Sequence, residues 1–264
     1  MAKVKNKMKT GPRILLIDIE TMPIIAHVWS LWDNNVALNQ IQQDWSILSW
    51  SAKWLDDPSS KIMYADQRNA KNINDDKALL KKVHSLMDEA DIIVGQNSKR
   101  FDVKKLNARF IMNGYQPPSK YQQIDTMLIA KKHFAFTSNK LEYLSNNLGV
   151  KHKKLKTKKF PGHVLWSECM KGNLEAFKEM EAYNKQDVLA LEDIYKKLVP
   201  WDNSVNLNVY SQGDQVCTCG NTKFQKRGFQ YTISGKYQNY RCTHCGKSYK
   251  DTVNLLKDTK RMLK

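Results

Sequence analysis

The 264-residue sequence lacks any apolar stretch long enough to cross a membrane. Its basic beginning, MAKVKNKMKTGPR, is not followed by an apolar run, so it contains no visible signal peptide. No internal repeat is evident either. With 41% hydrophobic residues, the chain has enough apolar material for a folded core. We therefore expect a cytoplasmic protein from a bacterial or phage-like context, with a disordered basic arm over residues 1–12.

Acidic residues are few in comparison with basic ones. The chain has 43 lysines and arginines against 26 aspartates and glutamates, which gives a formal net charge of +17. Such an excess predicts a polyanionic partner, most simply nucleic acid. We expect no membrane partner.

Cysteine is scarce, and four of the five cysteines form two close pairs: Cys217, Cys219, Cys242 and Cys245. In a reducing compartment, such pairs bind metal rather than each other. Four thiolates with this spacing predict one closed structural Zn²⁺ site, and the module resembles the zinc ribbons attached to transposases. The first pair has one spacer residue rather than two, which departs slightly from that pattern. We expect Cys169 to be a buried apolar side chain and His244 not to be a ligand.

A strand over Ile14–Thr21, ILLIDIET, is the clearest element of the sequence. Because side chains alternate along a strand, Asp18 and Glu20 share one face with Ile14 and Leu16. Both faces begin apolar, so the strand is expected to be central. Two carboxylates at its end predict either a site for a hard cation such as Mg²⁺ or a pair of acids at an exposed strand end.

The other elements are predicted from periodicity and from turn and capping signals. Two further strands should form an antiparallel meander with the first, and a short buried strand should follow the first helix. The predicted strands are Ser46–Leu55, Lys61–Asp66 and Asp91–Gly95; the predicted helices begin near Asn74, span Phe101–Asn113, begin near Asn139 and run from Leu174 to Leu198, the last one capped by Asn173.

Asp187 lies where the apolar stripe of the last helix calls for an apolar residue. Charges on inward helix faces are rare unless they are paired. Tyr183 precedes Asp187 by one turn, so both side chains should point the same way.

Three motifs follow one another along the chain: DIET with Asp18 and Glu20, GQNSKRFD ending at Asp102, and YNKQD from Tyr183 to Asp187. In order and spacing these motifs resemble those of the DEDD superfamily of 3′–5′ exonucleases. The tyrosine in the third motif makes the sequence similar to the DEDDy branch of that superfamily. The resemblance covers about residues 10–200 and implies an α/β, RNase H-like fold. It predicts a mixed sheet flanked by helices over residues 13–199, a linker over 200–215, and a zinc ribbon with a C-terminal helix over 216–264.

The resemblance also implies a chemistry. Two Mg²⁺ or Mn²⁺ ions about 4 Å apart would clamp the attacking and leaving oxygens of a phosphodiester. Asp18 would bridge both ions, Glu20 and Asp187 would complete one, and Asp102 would hold the other. Tyr183 would orient or deprotonate the attacking water. The implied activity releases 5′-mononucleotides from the free 3′ end of a single strand, with DNA favoured.

One departure from the family pattern is Gln96, where the second motif often has histidine. A glutamine can form hydrogen bonds but cannot titrate, so no acid–base role is expected for it. Phe101, next to Asp102, is interpreted as a core residue in preference to a base-stacking one.

Candidate contacts to nucleic acid are less specific. The segment Lys151–His163, KHKKLKTKKFPGH, is either a solvated basic loop or a phosphate-contacting loop. In the ribbon, aromatic residues alternate with basic ones, which is typical either of a small core or of a stacking surface for single strands. The candidates are Asn97, Lys153, Lys154, Lys156, Lys158, Lys159, Lys226, Arg227, Lys236 and Arg241.

Two rival functions stay open at this stage. One is a structure-specific endonuclease on the same fold. The other is a non-catalytic protein that binds nucleic acid through its ribbon, and the complete acid set with Tyr183 argues against it.

Overall fold

The structure is a computed structural model, and it describes residues 11–256 except 212 and 214. The chain forms two compact units. One spans Arg13–Tyr195, and the other contains the chain from Lys196 onward. The predicted basic arm over residues 1–12 and the predicted C-terminal helix of the ribbon fall largely outside the described residues.

The first unit is built on a five-stranded mixed sheet with the order β5-β4-β1-β6-β7. Its strands are β1 (Ile14–Thr21), β4 (Ile47–Trp54), β5 (Met63–Asp66), β6 (Ile92–Gly95) and β7 (Gln122–Asp125), and a separate two-stranded sheet joins β2 (Ile25–Ala26) to β3 (Ile41–Gln43). The strands β1, β4 and β5 pair antiparallel, as the predicted meander requires. β6 and β7 continue the sheet in parallel.

Six helices accompany the described strands: α1 (Lys77–Glu89), α2 (Asp102–Met112), α3 (Thr126–His133), α4 (Leu141–Asn147), α5 (His163–Met170) and α6 (Leu174–Leu198). The expected mixed sheet flanked by helices is therefore confirmed. No described helix combines the length and the apolar character that crossing a membrane would need.

β1 is the central strand, with apolar clusters on both sides of the sheet. Leu15, Ile17 and Ile19 lie in one cluster with residues of α1 and α2. Met22, directly after β1, lies in a second cluster with Phe177 of α6. The expectation of a strand covered on both faces is confirmed, and it explains why Asp18 and Glu20 end up at a protected position.

The predicted helix starts agree with the structure to different degrees. α1 begins at Lys77 rather than near Asn74, and Asp76 turns away from the helix to pair with Arg109 at 2.7 Å. α4 begins at Leu141, two residues after Asn139, and the Asn139 backbone oxygen accepts a 2.7 Å hydrogen bond from Gln96. The Asn173 cap of α6 is confirmed, since its Oδ1 accepts from the Glu175 backbone N–H at 3.0 Å.

The second unit contains a three-stranded antiparallel sheet of order β10-β9-β8. Its strands are β8 (Phe224–Thr232), β9 (Gly235–Cys242) and β10 (Ser248–Asn254). Gly220 and Gly246, which follow the two cysteine pairs, have φ of +84° and +78°. Glycine adopts this left-handed backbone without steric cost, which allows a tight turn after each cysteine pair.

Candidate active site

Three carboxylates converge at the end of β1. Asp18 and Glu20 come from β1 and Asp187 from α6, and one oxygen of each lies within 4.8 Å of the others. The strand and the helix belong to opposite ends of the first unit's sequence, so only the packing of α6 on the sheet brings them together. Like charges at this separation repel unless cations or protons compensate them.

Asp187 is the most deeply enclosed of the three, with 3% of its surface exposed. Its Oδ2 pairs with the Lys154 ammonium group. Its Oδ1 is buried and has no hydrogen-bond partner among the described residues. A buried carboxylate oxygen without a partner is costly, and a bound cation would relieve that cost.

Asp18 is held by an amide. The Nδ2 group of Asn184 donates to Asp18 Oδ2 at 2.5 Å, and Asn184 Oδ1 accepts from the Ser49 hydroxyl at 3.3 Å. Asn184 is fully buried. This chain of hydrogen bonds fixes the orientation of the Asp18 carboxylate from the neighbouring strand β4.

The pKa values of all three carboxylates are raised. Burial, followed by the charges of Asp187 and Asp102, raises the pKa of Asp18 well above its ordinary value. Burial and the Asp187 charge raise the pKa of Glu20 to about 8. Burial also raises the pKa of Asp187, although Lys154 counteracts it. Such shifts mark a site whose negative charge is not compensated by the protein alone.

Asp102 does not join the three-carboxylate cluster. It opens α2, is 3% exposed, and its Oδ1 accepts a 3.1 Å hydrogen bond from the backbone N–H of Ile19. Burial raises its pKa to about 7. The Asp102 charge nevertheless contributes to the raised pKa of Asp18.

Tyr183 borders the cluster, one turn before Asp187. Lys154 Nζ lies 4.2 Å from the centre of its ring, and the ring of Trp166 meets it edge-on at 5.9 Å. Burial raises the pKa of the Tyr183 hydroxyl to about 12. The hydroxyl is therefore a proton donor at neutral pH, which suits a group that orients a water molecule.

These residues fit divalent cations. Carboxylate oxygens are the ligands that Mg²⁺ and Mn²⁺ prefer, and three of them lie within reach of one another. Asp187 Oδ1 has no hydrogen-bond partner among the described residues, and Asp187 Oδ2 pairs with the Lys154 ammonium group. Both observations indicate that positive charge stabilises the cluster.

With this geometry in place, comparison with known proteins identifies the fold family. The family model described as the RNase_H superfamily matches residues 51–199. The chain belongs to the RNase_H superfamily. The matched residues contain Asp102, Tyr183 and Asp187, whereas Asp18 and Glu20 precede them. Membership in this superfamily supports nuclease activity and a nucleic-acid substrate.

The solved structures that match include the family B DNA polymerase from the hyperthermophilic archaeon Pyrobaculum calidifontis. The TM-score is 0.49 at 15% identity, and the match covers 89% of this chain and 32% of that one. This chain thus spans about a third of the polymerase's length. No curated protein matches.

The structure places the lysines of the predicted basic loop in two environments. Lys154 points into the acid cluster of this RNase_H superfamily protein, whereas Lys153, Lys156, Lys158 and Lys159 are exposed. Lys159 pairs with Glu175. The loop is anchored to α6, because the Lys158 backbone N–H donates to Glu179 at 2.6 Å.

Asn97, the remaining candidate in the first unit, has a φ of +63°. Its backbone N–H donates to Asp125 Oδ1 at 2.9 Å, and Asp125 Oδ2 accepts from the Lys99 backbone at 3.1 Å. Asp125 thus fixes the loop that leads to Asp102. Phe101 in the same loop is 37% exposed, so the expectation of a core position for it is wrong.

In the second unit the four predicted zinc ligands come together. The sulfur atoms of Cys217, Cys219, Cys242 and Cys245 all lie within 4.8 Å of one another. The Cys217–Cys245 distance is 3.4 Å and the Cys219–Cys242 distance is 3.7 Å. Tetrahedral sulfurs at about 2.3 Å from a zinc ion would lie about 3.8 Å apart, so the cluster is compatible with Zn²⁺.

Several groups surround these sulfurs with hydrogen bonds. The Tyr249 hydroxyl donates to Cys217 Sγ at 3.0 Å, and Asn221 Nδ2 donates to Cys242 Sγ at 3.2 Å. Such outer contacts orient and stabilise thiolate ligands. His244 is exposed and lies outside the ligand cluster, and Cys169 is fully buried in the first unit, as expected.

The aromatic residues of the ribbon are divided between a core contact and the surface. Phe224 and Tyr249 pack edge-on at 5.5 Å, which is a core contact. Tyr231 is 68% exposed, and Lys236 Nζ lies 4.1 Å from the ring of the exposed Phe229. The other basic candidates, Lys226, Arg227 and Arg241, are exposed.

Sequence reasoning missed Asn184, Ser49, Asp125 and Trp166. Asn184 had a signal, because it stands beside Tyr183 within the third motif. The others had none, because each acts from an element distant in sequence.

Proposed function

We propose that this protein is a metal-dependent 3′–5′ exonuclease of the DEDDy type, which hydrolyses single-stranded nucleic acid, DNA in preference, to 5′-mononucleotides. The observation that carries the proposal is the cluster of Asp18, Glu20 and Asp187 carboxylates within 4.8 Å, flanked by Tyr183. The fold supports nuclease chemistry in general, and the tyrosine beside the acids supports the DEDDy assignment.

The acids would hold two Mg²⁺ or Mn²⁺ ions. Asp18 would contribute to both, Glu20 and Asp187 to one, and Asp102 to the other. When bound, such cations supply the positive charge that stabilises the attacking and leaving oxygens of an in-line displacement. Asn184 would keep Asp18 oriented through its 2.5 Å hydrogen bond.

Tyr183 would position the attacking water through its hydroxyl, which burial keeps protonated. The exposed lysines of the 151–163 loop would contact phosphates of the substrate. In the second unit, a structural Zn²⁺ on the four cysteines would fix the ribbon. The basic and aromatic ribbon side chains would then bind further nucleotides by charge and stacking.

The decisive experiment is cleavage of single strands labelled at the 5′ end, with DNA and RNA in parallel and with Mg²⁺ or Mn²⁺. The proposal predicts a ladder of products that shorten from the 3′ end. A single internal cut would indicate a structure-specific endonuclease instead, and an unchanged strand would indicate a non-catalytic binding protein.

The matched variants are Asp18→Asn and Asp33→Asn. The first should abolish cleavage, since a neutral amide cannot compensate two cations. The second replaces an exposed aspartate at a φ of +51°, which asparagine tolerates, and should leave cleavage unchanged. Cleavage retained in Asp18→Asn would refute the assignment of this carboxylate.

A further inference from the structure

The segment between β1 and β4, residues 22–45, carries the most exposed apolar side chains of the first unit. We call it the arm. Trp29, Leu31, Trp32 and Leu38 are 86%, 87%, 81% and 87% exposed. Single exposed apolar residues are ordinary, but four large ones within ten positions are not.

Hydrogen bonds within the arm hold its shape. Gln40 Nε2 donates to the His27 backbone oxygen at 2.8 Å, and Gln40 Oε1 accepts from the Ala37 backbone at 2.8 Å. Asn34 Nδ2 donates to the Ser30 backbone oxygen at 2.7 Å. Polar side chains of the arm thus form hydrogen bonds with its own backbone, whereas its apolar side chains are exposed to solvent. In most surface segments the polar side chains face solvent and the apolar ones are buried.

Both ends of the arm are fixed to the first unit. The Met22 backbone N–H donates to Ser46 at 2.9 Å, and the Met22 side chain is fully buried. At the other end, Trp45 packs against the core, and Lys105 Nζ lies 3.5 Å from the centre of its ring. The apolar side chains are therefore presented in a preorganised form, which lowers the entropic cost of binding.

The charge of the arm argues against a nucleic-acid partner. Residues 22–45 contain Asp33 and Asp44 but no lysine or arginine, although the whole chain has 43. Surfaces that bind single strands combine stacking side chains with a positively charged groove. The arm provides aromatic rings without that charge.

The same charge pattern favours a second copy of this chain. Two molecules of net charge +17 repel each other over most of their surface. The arm is a long stretch of the first unit at which two copies could approach without bringing lysines and arginines together. Arm-to-arm contact also makes the surface its own partner, as a closed two-fold dimer requires.

The size of the surface is adequate. Two tryptophans exposed above 80% present on the order of 400 Å² if each can bury about 250 Å². Leu31 and Leu38, with the partly exposed Ile24, Ile25, Val28 and Val36, enlarge the patch. A standard interface needs about 800 Å² per partner, so a patch of this scale can form most of one.

We propose that the arm is a self-association surface, on which two copies of this protein pair through Trp29 and Trp32. This inference is independent of the proposed exonuclease activity. It predicts that the protein, freed of nucleic acid, forms a dimer.

The test is sedimentation velocity of the zinc-loaded full-length protein from 1 to 100 µM. We expect a dimer whose dissociation constant rises at least 100-fold in the Trp29→Ser/Trp32→Ser variant. Because both positions are exposed, the variant should fold like the parent, which circular dichroism checks. Leu38→Asp is a second variant that keeps both indoles. The control is Ile111→Ser, which removes a 76% exposed side chain on α2 and should leave the dimer intact.

Salt gives an independent readout. Raising NaCl from 0.1 to 0.5 M should strengthen the dimer, because it screens the repulsion between two basic chains. A monomer at every concentration would overturn the inference, as would a dimer unaffected by the tryptophan variant. It would also be overturned if that variant weakened oligonucleotide binding without changing the mass.

Discussion

Replacing Glu20 with glutamine should stabilise the protein when Mg²⁺ and Mn²⁺ are absent. Burial and the Asp187 charge raise the pKa of Glu20 from 4.5 to about 8 in the folded state. The fold therefore holds this proton more tightly than the unfolded chain does. Unfolding releases the proton between these two pH values, so the free energy of unfolding falls as pH rises from about 4.5 to 8.

The size of the effect follows from the pKa difference. A pH of 7.5 lies about 3 units above the unfolded pKa of 4.5 and just below the folded pKa of about 8. Each unit corresponds to about 1.4 kcal/mol, which gives an upper limit of about 4 kcal/mol for the effect at this pH. Glu20 is partly accessible to solvent, which screens its charge. We therefore expect Glu20→Gln to raise the free energy of unfolding by about 1–3 kcal/mol at pH 7.5 and by little at pH 4.5.

The assay is urea unfolding with one equivalent of Zn²⁺, at pH 4.5 and 7.5, with and without 10 mM MgCl₂. Added Mg²⁺ should stabilise the parent protein, because it binds the folded state only. The Glu20→Gln variant should gain less from Mg²⁺. Glu142→Gln, at an exposed position of α4, is the control and should behave like the parent. If Glu20→Gln is no more stable than the parent at pH 7.5 without Mg²⁺, the argument from charge repulsion is wrong.

Three further predictions concern other parts of the molecule. Tyr183→Phe should lower kcat by roughly 10²–10⁴-fold with little change in melting temperature, because only the water-orienting hydroxyl is lost; single-turnover kinetics near the parental rate would show that the hydroxyl is peripheral. Asn184→Ala should weaken Mg²⁺ binding, measured by calorimetry, because Asp18 loses its 2.5 Å hydrogen bond. Ser49→Ala removes the second contact of the chain at 3.3 Å and should have a smaller effect, and equal effects would contradict this chain of hydrogen bonds. Cys242→Ser should abolish Zn²⁺ retention, measured by atomic absorption, and make oligonucleotide affinity weaker and less dependent on salt, while short substrates are still hydrolysed; an unchanged salt dependence would show that the ribbon serves another partner.

Local patterns in the sequence were sufficient for the elements whose signal is strong. The strand β1 and the long helix α6 were predicted with their observed bounds, because an uninterrupted apolar run and a 3.6-residue stripe depend only on neighbouring residues. The positions of Asp18 and Asp187 on inward faces followed from the same periodicity. The spacing of the four cysteines likewise anticipated their convergence in the second unit.

Weak or short elements escaped prediction. The segments that form β7, α3 and α5 were not assigned, because four to eight residues carry too little periodicity to distinguish them from loops. Their consequences are local but important: Asp125 ends β7 and holds the loop before Asp102, and α5 places Trp166 against Tyr183.

Only the tertiary structure decided which partners surround each acid. Asp102 matches its motif in sequence, yet it turns to the Ile19 backbone and stays outside the three-carboxylate cluster. Lys154 was one of several similar lysines in a basic loop, and packing of that loop on α6 sends this one alone among them to Asp187. Sequence periodicity determines which way a side chain points from its own element, but the distance between two elements depends on how they pack, and that sets the charge, burial and pKa of each group.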